Sequence, residues 1–117
     1  QYAHARVCSV LQQWGGDTIE LAAAALQRLE NERELALCAR LGGFPELIQN
    51  AAADHAPHQV AFFLKDLAGE FHSWYNAERM LVDDPTLRLA RLALAAAVRQ
   101  VLASGLALLG VSAPQSM

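Results

Sequence analysis

Two tyrosine–arginine pairs are the side chains of this sequence best suited to binding chemistry. Arg6 follows Tyr2 by four positions, and Arg79 follows Tyr75 at the same spacing. Residues four apart lie on one face of a helix, where a phenol ring can stack on an unpaired base while the guanidinium binds a phosphate or a base edge. The alternative is ordinary packing, because a tyrosine among apolar residues often sits at a core boundary and an arginine one turn later can simply solvate the helix.

Further polar side chains accompany both pairs. His4 adds a hydrogen-bond donor near the first pair, and His72 and Asn76 add polar groups near the second. His72, Asn76 and Arg79 would form a stripe at spacings of four and three on one helix. Asparagine is a poor residue for a helix interior and needs a hydrogen-bonded role if it is buried, so Asn76 is a candidate binding residue.

The charge distribution predicts where a nucleic-acid surface would lie. The net charge of −3 argues mildly against non-specific nucleic-acid binding. Residues 1–16 and 79–117 carry +1 and +2, however, whereas residues 17–54 carry −4. Such a surface should therefore be built from the two ends of the chain. Three arginines near the second end could reach phosphates, or could be solvated or paired with nearby acids: Arg88, Arg91 and Arg99.

Signals of catalysis or metal binding are weak. The sequence has no glycine-rich phosphate loop. His55 and His58 are three apart, but no cysteine or acid completes a zinc-binding set with them. Cys8 and Cys38 lie in apolar helical segments and are interpreted as small buried residues. We predict neither a catalytic residue nor a metal site.

Composition and periodicity predict an all-α fold, a bundle of five to six helices. Alanine, the best helix former, occurs 23 times, and no strand pattern appears. Asn31 with Glu34 forms a capping-box pattern, and Asp83-Asp84-Pro85 should end one helix and cap the next. The expected helices span residues 2–13, 21–29, 32–41, 46–53, 57–81 and 86–109.

The stretch from Leu92 to Val111 is apolar enough to be considered as a membrane span. Arg99 and Gln100 fall near its middle, and a central arginine costs about 2.5–3.5 kcal/mol on insertion scales. We interpret the stretch as a buried helix and predict no membrane partner.

Four motifs resemble those of arginyl-tRNA synthetases. Residues 2–11 (YAHARVCSVL) are similar to the helix that follows the catalytic part in that family. Residues 67–76 (LAGEFHSWYN) resemble its LAxxFHxFYN signature, and residues 88–94 (RLARLAL) its RLxRLxL helix. Residues 108–117 (LLGVSAPQSM) resemble the family ending LLGIxxPxxM. Residues 15–55 match only in helical character.

Two positions depart from the family pattern. The tetrapeptide that names the broader group, Asp-Ala-Leu-Arg, stands here as Pro85-Thr86-Leu87-Arg88, so only its second half is kept. Trp74 occupies a position where phenylalanine is common; we assign Trp74 and Phe71 to the core. Both changes should leave the fold intact.

The resemblance implies that residues 1–117 are a single anticodon-binding domain of the type found in class Ia aminoacyl-tRNA synthetases. Since the sequence opens with Gln1 rather than Met, we expect a domain excised from a longer synthetase. Tyr2 and Arg6 would line one side of an anticodon pocket and Tyr75 and Arg79 the other. The tRNA-binding residues expected from pattern and resemblance together are Tyr2, Arg6, Tyr75, Asn76, Arg79, Arg88 and Met117.

The resemblance also implies what surrounds this domain. The complete enzyme would join arginine to its tRNA with ATP and Mg²⁺ bound by a separate catalytic domain, so this chain alone should hold no cofactor and should not aminoacylate. The expected partners are tRNA and that catalytic domain, without DNA, in the cytoplasm. Two alternatives stay open: an anticodon-binding domain of another synthetase such as the glycyl enzyme β subunit, and a helical protein-interaction module without RNA binding.

Overall fold

Five α-helices and two short 3₁₀ segments make up the computed structural model, which describes residues 2–110. The helices are α1 (Tyr2–Trp14), α2 (Glu32–Gly42), α3 (Phe44–Ala53), α4 (His58–Ala77) and α5 (Pro85–Leu108). The 3₁₀ segments span Thr18–Ala23 and Leu26–Arg28. No strand occurs within residues 2–110, so the predicted all-α class is confirmed.

Helix α5 is the centre of the fold. It packs against α1, α2, α4 and both 3₁₀ segments, and Leu92, Val98 and Leu102 on it are at most 2% exposed. By length and composition alone, α5 is the one helix within the described residues that could cross a membrane. The core helix of a globular protein passes the same test, and 44% of its apolar window is buried inside the fold.

The predicted caps are present. Asn31 caps α2, its side chain accepting from the Glu34 amide at 2.9 Å, which satisfies an amide that the helix leaves unpaired. Asp84 caps α5 ahead of Pro85 by accepting from the amides at positions 86 and 87. Gly15 follows α1 with φ +73°, a backbone conformation that glycine adopts without steric penalty.

The predicted helix over residues 21–29 is wrong as a continuous α-helix. The chain instead forms the two 3₁₀ segments, separated where Ala24 is extended with φ −64° and ψ 139°. The first segment buries no residue, despite the alanines. Helix propensity alone does not sustain so short a helix when its side chains are not fully buried.

The predicted end of the helix over residues 57–81 is also wrong. Helix α4 stops at Ala77, and Glu78 is extended with φ −127° and ψ 144°. The Glu78 carboxylate accepts a hydrogen bond from the Asn31 side-chain amide at 2.9 Å. A tertiary contact with the cap of α2 therefore accompanies the end of α4.

The two cysteines differ from expectation. Cys38 is exposed on α2, whereas Cys8 is half-buried on α1. The interpretation of both as buried residues was wrong for Cys38, because the residues of α2 that are fully buried are Glu34 and Leu37.

At Gly105, α5 packs closely against Leu64 of α4. A Cβ atom there would lie 2.6 Å from Leu64 Cδ2, whereas a Cβ at Gly69 would meet nothing within 4 Å. We expect Gly105→Val to destabilise the fold by about 1–3 kcal/mol through overpacking, and Gly69→Ala to stabilise it by about 0.5–1 kcal/mol through helix propensity. Thermal unfolding measures both, and a Gly105→Val protein as stable as the parent would contradict the packing described.

Candidate nucleic-acid interface

The Arg6 guanidinium lies between two tyrosine rings. Its Cζ is 5.4 Å from the Tyr2 ring centroid on its own helix and 4.4 Å from the Tyr75 centroid on α4. Both distances are within the range of cation–π attraction. Tyr2 and Tyr75 are 73 positions apart in the sequence. Arg6 contacts both rings, so the first pair meets the tyrosine of the second pair where α1 faces α4.

His72 completes this arrangement. Arg6 Nη1 donates to His72 Nδ1 at 3.0 Å, and the His72 ring lies 5.3 Å from the Tyr2 ring, centroid to centroid. Because arginine only donates, Nδ1 must be the unprotonated nitrogen and Nε2 carries the proton of the neutral ring. We call Tyr2, Arg6, His72 and Tyr75 the tyrosine–arginine cluster.

The cluster's exposure suits stacking. Tyr2 is 58% exposed, so much of its ring is accessible to a base. Tyr75 is half-buried and packs against the core, with its ring centroid 5.7 Å from that of Phe71. One tyrosine is therefore free to receive a ligand, and the other is held by the bundle.

A hollow of about 380 Å³ adjoins the cluster. It runs between α1 and the chain that leaves α4, and Tyr75 belongs to both the hollow and the cluster. Its lining residues are Val10, Gln13, Tyr75, Asn76, Ala77, Glu78, Arg79, Met80 and Leu81. Ligand pockets typically have a volume of this order.

Arg79 reaches the hollow by a different route from the one predicted. The sequence spacing placed Tyr75 and Arg79 on one helix face, but α4 ends before Arg79. Arg79 is exposed and lines the hollow from the non-helical chain opposite α1. The two residues are brought together, although not by helical spacing.

The three arginines of α5 make contacts within the protein. Arg88 Nη1 donates to the Val82 carbonyl at 3.2 Å. Arg99 Nη1 donates to Cys8 Sγ at 4.0 Å. Arg91 is buried and donates through Nε to Glu34 Oε2 at 2.8 Å, so an open phosphate-binding position for Arg91 is excluded in this structure.

The remaining predicted residues fall in different places. Asn76 is exposed near the end of α4 and lines the hollow, so it needs no internal partner. His4, predicted as a donor near the first pair, is buried at 5% exposure, and its Nδ1 lies 3.8 Å from Cys8 Sγ. Met117 lies outside the described residues.

Sequence reasoning missed the role of Glu34. Its capping-box pattern was recognised, but its Oε2 also accepts from Trp74 Nε1 at 3.1 Å and from Arg91. The carboxylate is 1% exposed in the centre of the fold. The one available signal was its position three residues before Leu37, on the apolar side of α2.

Comparison with known proteins places the chain in a family. The model of the DALR anticodon binding domain matches residues 1–117. An arginine–tRNA ligase of Aromatoleum aromaticum is 86% identical over the whole chain, and one of Azoarcus sp. is 78% identical. In both cases the chain spans 20% of the relative's length.

Solved structures agree with this assignment. The Thermus thermophilus arginyl-tRNA synthetase is 34% identical and superposes with a TM-score of 0.85, covering 98% of this chain and 20% of that one. A Campylobacter jejuni chain described as an arginyl-tRNA synthetase gives a TM-score of 0.90 at 26% identity, covering 98% of this chain and 25% of that one. These matches favour the arginyl family over the glycyl enzyme and over a protein-interaction module.

The His72 contact predicts a pH dependence of stability. Burial, and next the charge of Arg6, hold the pKa of His72 below its ordinary value of 6.5. The unfolded chain therefore takes up this proton first, and stability falls as the pH drops through 6.5. Between about pH 7.5 and about pH 5.5, the parent should lose more thermal stability than His72→Asn, which keeps an acceptor for Arg6 but does not titrate. Equal losses in the two proteins would rule out His72 as the source.

Proposed function

This chain belongs to the DALR anticodon-binding domain family, and we propose that it binds the anticodon loop of tRNA as one domain of an arginine–tRNA ligase. The observation that carries the proposal is the Arg6 guanidinium between the Tyr2 and Tyr75 rings, next to the hollow. Aromatic rings and guanidinium planes are the groups on which proteins stack the unpaired bases of RNA loops.

The residues of the site differ in which part of an RNA they can contact. Arg6 already covers Tyr75 at 4.4 Å, so the more exposed Tyr2 offers the freer ring for an incoming base. A base entering the hollow would meet the polar groups of Gln13, Asn76 and Arg79. Arg6 and Arg79 together supply positive charge for the phosphates that flank it.

The activity of the whole ligase is part of the same proposal. Relatives of this chain are about five times longer, since it spans 20% of each. We propose that arginine attachment, with ATP and Mg²⁺, takes place in a separate catalytic domain in the cytoplasm. With catalysis placed in that separate domain, this domain by itself should bind tRNA without aminoacylating it.

Tyr2→Ala tests stacking. In the full-length protein we expect it to weaken binding of the matching tRNA by about 1–3 kcal/mol, the contribution of one stacked base. Phe62→Ala is the matched control, because Phe62 is an aromatic residue 63% exposed on α4 and away from the cluster. Filter-binding titration measures both. Equal small effects of the two substitutions would remove Tyr2 from the interface.

Arg79→Ala tests phosphate contact. The logarithm of the binding constant should fall with the logarithm of salt concentration, and loss of one phosphate contact should reduce that slope by about one unit. Arg33→Ala, which removes an exposed arginine from α2, is the control and should leave the slope unchanged. The same slope for Arg79→Ala and the parent would show that Arg79 does not meet a phosphate.

A further inference from the structure

The chain between α4 and α5, residues 78–84, is non-helical, and its first four residues form one wall of the hollow. We call it the bridging segment. It carries Arg79, Met80 and Leu81 into the hollow lining. Backbone carbonyls in a non-helical segment need donors from elsewhere when they leave water, and two carbonyls of this segment obtain them from α5.

Arg91 is the principal donor. Its Nη1 donates to the Arg79 carbonyl at 2.8 Å while its Nε donates to Glu34 Oε2 at 2.8 Å. The rigid fork of a guanidinium lets one group bind a carboxylate and a carbonyl together. The more exposed Arg88 adds a second bond, to the Val82 carbonyl at 3.2 Å.

Glu34 fixes the direction of Arg91. The carboxylate is 1% exposed and also accepts from Trp74 Nε1 of α4 at 3.1 Å. A buried carboxylate is tolerated only when it is paired and hydrogen-bonded, so Glu34 and Arg91 constrain each other. Three helices, α2, α4 and α5, thereby set the position of the backbone at Arg79.

A second anchor holds the start of the bridging segment. Glu78 Oε1 accepts from Asn31 Nδ2 at 2.9 Å and lies 4.0 Å from Arg91 Nη2. Asn31 is the cap of α2. The residues that begin α2 are thus connected to the segment that lines the hollow.

We propose that Arg91 is a positioning residue for anticodon discrimination: it holds the backbone of Arg79, and with it the wall of the hollow, in the geometry that an anticodon base meets. This inference rests on the proposed function. Arg91 is buried, so it would act on a bound base through Arg79 and its neighbours rather than by direct contact. The arginine cannot be replaced by lysine, because one ammonium lacks the fork that reaches both acceptors.

The test is Arg91→Lys in the full-length protein, titrated with the matching tRNA and with the same tRNA carrying an altered anticodon. The measured quantity is the ratio of the two affinities. We expect that ratio to fall about tenfold, a change typical for one hydrogen bond from a charged donor. Arg40→Lys is the matched control: Arg40 pairs with Glu70 between α2 and α4, away from the hollow, and its ratio should equal that of the parent.

The ratio separates positioning from stability. A substitution that only destabilises the fold removes the same fraction of active protein from both titrations and leaves the ratio unchanged, which would overturn the proposal.

Two further results keep the outcome decisive. If Arg91→Lys does not fold, Glu78→Ala takes its place, because it removes the half-buried second anchor and should lower the ratio in the same direction. An unchanged ratio in that variant would overturn the proposal. If the parent itself shows no preference for the matching anticodon, the proposed function fails, and this inference fails with it. If the parent shows that preference and the variant leaves the ratio unchanged, only this inference fails.

Discussion

The buried carboxylate of Glu34 is the constraint on which the rest of the structure depends. A charge that is 1% exposed is strongly unfavourable unless donors surround it. It obtains them from Arg91 and from Trp74, on two different helices. The apolar packing of a helical bundle tolerates small shifts between helices, whereas these directional bonds do not. The carboxylate therefore fixes α2, α4 and α5 relative to one another close to the hollow.

The tyrosine–arginine cluster depends on the placement of α4 relative to α1. Arg6 comes from α1, and its partners Tyr75 and His72 come from α4. Desolvation disfavours charging His72, whose pKa is lowered, so the positive charge of the cluster resides on Arg6. The net charge of −3 is unevenly distributed, since the segments that contribute Arg6 and Arg79 carry +1 and +2, whereas residues 17–54 carry −4.

Local sequence signals predicted the fold well and the site in part. The caps at Asn31 and Asp84 were correct because they depend on neighbouring residues alone. The predicted end of α4 was wrong because the apolar spacing continues to Leu81. The extended Glu78 instead contacts Asn31, which is 47 positions away in the sequence, and local spacing does not reveal such a contact. The pairing of Arg6 with Tyr75 across two helices is likewise a tertiary fact. No local pattern distinguishes the buried Arg91 from its more exposed neighbour Arg88.

The early end of α4 gives these separate features one physical explanation. Had the helix continued, the carbonyl of Arg79 would accept from the amide four residues on and would be unavailable to α5. Because α4 stops at Ala77, that carbonyl and the one of Val82 accept from arginine side chains. The wall of the hollow is thus held by side-chain donors whose own position is set by Glu34. A substitution of Arg88, Arg91 or Glu34 can displace the wall while every helix remains intact. Helical content is therefore a poor measure of whether the hollow keeps the geometry needed for binding.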